Sequence, residues 1–131
     1  MNNAFENINN KTADFEKGWY IYIMTNRPNG VLYIGVTNDI KSRVLEHKNK
    51  LYKKSFTAKY NCDKLVYFED FNNGAEAAVR EKQLKKWNRQ WKINLIEEVN
   101  PSWMDISMNW NDENLIYKSK RIINKRIDNK L

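Results

Sequence analysis

Arg43 and His47 stand four residues apart in the segment IKSRVLEHKNKL, and on a helix that spacing sets one side chain above the other. A guanidinium and an imidazole are then presented together beside whatever the helix packs on. Upstream, Tyr20, Tyr22 and Tyr33 fall on one face of two strand-like segments together with Gly35, a residue that weakens a strand unless something must approach its backbone closely. Downstream, Glu81 lies one turn after Ala77 and one turn before Leu84, where a carboxylate on a helix margin can turn toward a sheet. Between them, Tyr52 to Asp63 interleaves Lys53, Lys54 and Lys59 with Tyr52, Phe56 and Tyr60, as surfaces that hold phosphates and stack bases do. Each group also has a plain structural reading. His47 can be a surface residue beside Glu46 and Lys48, Glu81 can pair with Lys85 for a few tenths of a kcal/mol, and the basic segment can be a solvated loop tacked down by Phe56 and Tyr60.

The elements that must position these residues start with WYIYIMTNRPNGVLYIGVTND, Trp19 to Asp39. It reads as two strands joined by Asn26-Arg27-Pro28-Asn29-Gly30, the chemistry of a tight turn. Period-2 geometry puts Ile21, Ile23, Leu32, Ile34 and Val36 on a core-facing side and the tyrosines on the other. Asn38 or Asp39 can cap a helix from about Ile40 to Leu51, with Ile40, Val44 and Leu51 turned inward. Tyr52 to Asp63 is expected as a loop. Lys64 to Phe71 reads as a third strand, ended by Asn72-Asn73-Gly74.

From Ala75 the sequence EAAVREKQLKKWN is helical by propensity, with Ala77, Arg80, Leu84 and Trp87 on one side. A second helix, about Arg89 to Val99, should pack on the sheet through Trp91, Leu95 and Val99, with Ile93 and Ile96 nearby. Asn100-Pro101 stops it. These elements make an α/β (α+β) domain over residues 18–106, a three-stranded antiparallel sheet flanked by helices. Residues 1–17 are expected as a flexible N-terminal extension and 107–131 as a basic tail with helical spacing, either a phosphate-contacting arm or a solvated end.

Composition narrows the class. The 131 residues suit one domain with modest extensions, and a hydrophobic share of 41% can bury one core. No apolar run approaches the roughly 20 residues of a membrane span, and the opening has neither the basic start nor the apolar core of a secretory signal. One cysteine and one histidine exclude an internal disulfide and a thiolate–imidazole metal site, so a reducing, cytoplasmic setting is expected. No Gly-rich phosphate loop or Ser-His-Asp order is present. Lys and Arg total 23 against 16 Asp and Glu, a net charge of +7, and that balance favours a polyanionic partner, nucleic acid foremost.

Tyr20-Ile21-Tyr22, ten residues, then Tyr33-Ile34-Gly35 resembles the paired-tripeptide signature of the GIY-YIG nuclease superfamily. The second tripeptide matches in full, whereas Tyr20 stands where the family has glycine. The family places an arginine ten residues after the second tyrosine and often a histidine or tyrosine one turn on; Arg43 and His47 hold both offsets. Phe56 to Tyr60 and Asn100-Pro101-Ser102-Trp103-Met104-Asp105-Ile106 are similar to segments of its small, stand-alone members.

The resemblance implies a metal-dependent endonuclease that hydrolyses phosphodiester bonds in DNA. It implies Glu81, in Arg-Glu-Lys-Gln-Leu, as the sole protein ligand of one divalent ion, Mg²⁺ or Mn²⁺. It further implies Tyr22 orienting or deprotonating the water, Arg43 bridging phosphate oxygens through its planar fork, Tyr33 donating beside it, and His47 sharing the base role or binding phosphate. Lys54, Lys59 and Tyr60 would face substrate. Asn100 stands where several members use an asparagine to hold the site together, and it also has the chemistry of a helix cap. The glycine missing at Tyr20 keeps open a non-catalytic nucleic-acid-binding module on the same fold, and the basic tail with five tryptophans a protein-interaction domain.

Overall fold

A computed structural model describes residues 18–110; the extension at 1–17 and the tail from 111 lie outside the described residues. Strands β1 (Trp19–Thr25) and β2 (Leu32–Thr37) form the expected hairpin, with Tyr22 opposite Gly35 and Met24 opposite Tyr33. Pro28 followed by Asn29 at φ 56° is the pattern of a type II turn, closed by the Gly30 N–H donating to the Arg27 carbonyl at 2.9 Å. The Asn26 side chain accepts from Val31 N–H at 2.9 Å, and Arg89 donates to the carbonyls of Asn29 and Gly30. The turn is thereby tied to Arg89, 60 residues on from Asn29.

Strand β3 (Lys64–Phe71) pairs antiparallel with β1, giving the order β2-β1-β3. Its register slips between Ile23 and Met24, which face Tyr67 and Leu65, so Val66 is the extra residue of a bulge. The Val66 carbonyl receives the Asn100 side-chain amide at 3.0 Å. Because of the bulge, Val66 and Tyr67 both join the layer of Ile21 and Ile23, while Leu65 and Phe68 join that of Tyr22 and Met24.

Among the described residues four helices flank the sheet: α1 (Ile40–Lys48), α2 (Phe56–Lys59), α3 (Gly74–Lys86) and α4 (Arg89–Val99). Asp39, Ser55, Asn73 and Asn88 each cap one by accepting a backbone N–H, satisfying donors that would otherwise be orphaned. On one face Ile21, Ile23 and Ile34 pack with Ala77 and Leu84 of α3, Ile93, Leu95 and Ile96 of α4, and Trp103. On the other, Tyr20, Tyr22 and Met24 pack with Ile40 and Val44 of α1, Cys62 and Ile106. The sheet is therefore buried on both sides, each large apolar side chain contributing about 1.5–3 kcal/mol. The packed chain continues through a 3-10 turn (Ile106–Asn109) to Trp110.

Three local expectations are corrected. The first helix ends at Lys48, and Lys50 at φ 52° turns the chain away, leaving Leu51 59% exposed rather than in the core. The loop before β3 contains the single turn α2, because Ser55 supplies a cap, its hydroxyl accepting from Ala58 N–H at 3.2 Å. Trp91 is 54% exposed, stacked edge-on against Trp87, and α4 faces the sheet through Ile93, Leu95 and Ile96 instead.

Candidate active site

Cross-strand pairing sets Tyr22 over Gly35, so a Cβ at Gly35 would lie 2.5 Å from the Tyr22 hydroxyl and ring. Only a residue without a side chain seats that ring. The Tyr22 hydroxyl then lies 2.8 Å from His47 Nε2, and His47 Nδ1 lies 2.8 Å from Thr57 Oγ1. Thr57, 2% exposed on α2, is in turn 3.2 Å from Ser55 Oγ. Strand, helix and one-turn helix thus contribute one residue each to a continuous chain of polar groups.

Tyr33 closes the group, its ring 6.1 Å from Tyr22 and 5.4 Å, edge-on, from His47. The positive charge of Arg43 acts on the Tyr22 phenol, while its Nε pairs with Glu46 at 3.1 Å. Helix α1 is fixed at its far end by Lys48, whose Nζ meets the Asp105 carboxylate at 2.5 Å and the Asp63 carbonyl at 2.9 Å. Burial pushes the Asp105 carboxyl up, but hydrogen bonds from Lys48, Ser107 and Leu65 N–H outweigh it and hold the group below its ordinary value.

The electrostatics give the two central groups opposite tasks. Burial, then the neighbouring Tyr33 hydroxyl, raises the Tyr22 phenol above its ordinary range, with Arg43 opposing. Tyr22 is a protonated donor. Burial, then the Arg43 charge, lowers His47 to about 4, so the imidazole is neutral at pH 7. A neutral ring has one donor and one acceptor nitrogen, and the hydrogen bond at one fixes the other. One tautomer has Nε2–H donating to the Tyr22 oxygen and Nδ1 accepting from Thr57; in the other, which the chemistry requires, Nδ1–H is donated to Thr57 and Nε2 accepts the Tyr22 O–H. Nε2 is then a lone pair aimed at the Tyr22 proton, free to accept at pH 7 and less basic than an ordinary imidazole.

Of the residues singled out from the sequence, Tyr22, Tyr33, Arg43 and His47 meet in this group. Among the described residues no hydrogen bond or ion pair joins Glu81 to this group: Ala77 and Leu84 of α3 pack into the other layer, and Glu81, on the helix margin between them, pairs with Lys85 at 3.5 Å. Its side chain is 19% exposed. Asn100 caps α4, donates to the carbonyls of Val66 and Met104 and accepts from Met104 N–H, stitching the bulge to the closing segment. Lys54, Lys59 and Tyr60 are exposed, with Lys59 Nζ 5.5 Å from the Tyr60 ring. Thr57 was not singled out for chemistry; a threonine in a short basic loop carries no signature, and only the Ser55 cap could have hinted that it turns inward.

Tyr20, which departs from the tripeptide pattern, is a core residue at 1% exposure, its ring edge-on to Phe68 at 6.1 Å. It lies two residues from Tyr22 along β1, opposite Thr37 and Asp70, so the extra ring fills the layer without entering the Tyr22–His47 contact.

The family model of the GIY-YIG catalytic domain matches residues 18–94. The chain is 39% identical over 79 residues to a UPF0213 protein of Staphylococcus saprophyticus, covering 60% of this chain and 94% of that one. It is 40% identical over 77 residues to a UPF0213 protein of Clostridium perfringens (59% and 81%) and 34% over 85 residues to one of Syntrophus aciditrophicus (65% and 95%). No solved structure matches it significantly.

Proposed function

The chain belongs to the GIY-YIG catalytic domain family, and on that premise we propose that it is a metal-dependent endonuclease hydrolysing phosphodiester bonds in DNA. The observation that carries the reading is the Tyr22 hydroxyl 2.8 Å from Nε2 of a neutral His47. A buried phenol alone is a poor base; passing its own proton to a neutral imidazole as it takes another spares the cost of ionising it first. Arg43 grips phosphate oxygens through its planar fork and Tyr33 donates beside it. The water loses its proton to the Tyr22 oxygen while the Tyr22 proton passes to Nε2. The water oxygen bonds to phosphorus, and the bond to the leaving oxygen breaks, that oxygen taking a proton from solvent. Tyr22 has no exposed surface in the free protein, so substrate binding at Arg43 and Tyr33 must part these side chains before water reaches it.

Glu81 fits a hard divalent ion by donor chemistry. Among the described residues no three His, Cys, Asp or Glu side chains converge on a point, and one carboxylate with water and phosphate oxygens is a set Mg²⁺ accepts. Mg²⁺ or Mn²⁺ held at Glu81 would supply positive charge to offset what develops at the phosphate. Its loose ion pair with exposed Lys85 is easily exchanged. Among the described residues no helix is long and apolar enough to cross a membrane; a reducing, cytoplasmic setting is our reading from the free cysteine, Cys62.

A non-catalytic nucleic-acid-binding module is the second reading, on the specific ground that Tyr20 replaces a family glycine. Incubation of the purified chain with plasmid and oligonucleotide DNA in Mg²⁺ or Mn²⁺ separates the two. Cleavage lost in Arg43→Ala supports the nuclease; binding without cleavage in either metal selects the module.

A further inference from the structure

The aromatic rings do not stop at the Tyr22–His47 group. Tyr33 continues outward to Phe56 at 6.0 Å, and Phe56 to Tyr60 at 4.7 Å. Phe56 and Tyr60 open and close α2, one turn apart, and are 45% and 41% exposed. The turn beneath them is tightly fixed: Ser55 caps it, Cys62 N–H donates to the Thr57 carbonyl at 2.8 Å, and Thr57 bonds His47. Two large rings are thus held rigidly with part of their surface in water, where burying them would have been favourable by kcal/mol.

The charge around them is of one sign. From Lys48 to Cys62 the chain has no Asp or Glu, and Lys50, Lys53, Lys54 and Lys59 are exposed along it. Asp63, the next carboxylate, pairs with Lys64 at 3.0 Å. A ligand fitting this surface carries flat apolar rings and repeated negative charge, and a nucleic acid strand has both. A duplex hides its base faces in its own stack, whereas an unpaired base offers them to side-chain rings.

We propose that the Phe56–Tyr60 turn is a stacking platform for unpaired bases, so that the substrate is a single-stranded or locally unpaired stretch whose phosphate reaches Arg43 and Tyr33. The proposal deepens the nuclease reading and rests on it for the position of that phosphate. The lysines hold the backbone without regard to sequence, and the rings select strands whose bases are free to stack.

The test is binding in the absence of divalent metal, so that no cleavage is involved. The full chain is titrated with a single-stranded 12-mer carrying 2-aminopurine and with its duplex, for the native sequence, Phe56→Leu/Tyr60→Leu and Phe56→Tyr. Stacking is worth about 1–3 kcal/mol per base, so the leucine pair should weaken single-strand binding tenfold or more and abolish the fluorescence quenching. Duplex affinity should change less than twofold, which also reports an intact fold, and Phe56→Tyr should retain the single-strand affinity. Unchanged single-strand binding, or an equal loss on duplex, overturns the platform. A chain that cuts no DNA yet loses single-strand binding this way keeps the platform and loses the nuclease; a chain that cuts duplex and single strand equally, indifferent to the leucine pair, does the reverse.

Discussion

Thr57→Val asks whether the histidine tautomer matters. Valine fills nearly the same space in a site 2% exposed but removes the hydroxyl 2.8 Å from His47 Nδ1. A buried N–H left without an acceptor costs about 1–3 kcal/mol, and the imidazole escapes that cost by moving its proton to Nε2. There it can no longer accept from Tyr22. The reactive tautomer therefore falls by about 5- to 150-fold, its upper end reaching the roughly 10²–10⁴-fold that a positioned acid–base group contributes. We expect kcat on a DNA substrate to drop by that factor with KM nearly unchanged, since Thr57 does not reach the surface. Thr57→Ser, which keeps the hydroxyl, should restore most of the rate. The chain has a single histidine, so imidazole nitrogen shifts report the tautomer without ambiguity. A full rate in Thr57→Val at unchanged thermal midpoint, or a proton found on Nε2 of the native protein, would refute the reasoning.

Gly35→Ala should place a methyl 2.5 Å from the Tyr22 ring and hydroxyl; overpacking of this kind costs about 1–3 kcal/mol, read as a lower unfolding midpoint, with cleavage falling tenfold or more. His47 should titrate near 4 rather than 6.5. Its charged form is disfavoured by folding, so stability present above about 6.5 is lost as pH falls toward 4, while the base stays neutral at pH 5.5; an NMR midpoint above 6 contradicts this. Asn100→Ala should cost about 2–3 kcal/mol by unpairing buried backbone groups at the Val66 bulge, measured by denaturant unfolding, with kcat much less affected. DNA affinity should fall steeply between low and physiological salt as counterions are released; a flat response excludes a phosphate-dominated interface.

Much of this was legible because local patterns agreed with the fold. Alternation in Trp19–Thr25 and Leu32–Thr37 sorted their side chains into the two layers found, and Lys64–Phe71 is the third strand. What alternation could not tell was that both layers are covered, so that Tyr22 is sealed rather than displayed on an open face. The bulge at Val66 has no local signal, since it depends on pairing with β1, and so Asn100's role as partner of a displaced carbonyl was invisible beside its role as a cap. Leu51 and Trp91 had helical spacing, but Lys50 in the left-handed region ended one helix early and Ile93, Leu95 and Ile96 claimed the inner face of the other. Arg43 and His47 were found from spacing because i, i+4 geometry survives in any helix. Thr57 was not, because its role exists only where α2 meets α1.

The most direct measurement is plasmid and oligonucleotide cleavage in Mg²⁺ by the native chain, Tyr22→Phe and Glu81→Ala, with DNA binding followed in parallel. Native cleavage that falls at least a hundredfold in both variants, with DNA affinity within threefold of native, is the expected result. Undiminished cleavage in Tyr22→Phe, or no cleavage by a native chain that binds DNA in Mg²⁺ or Mn²⁺, would contradict the account.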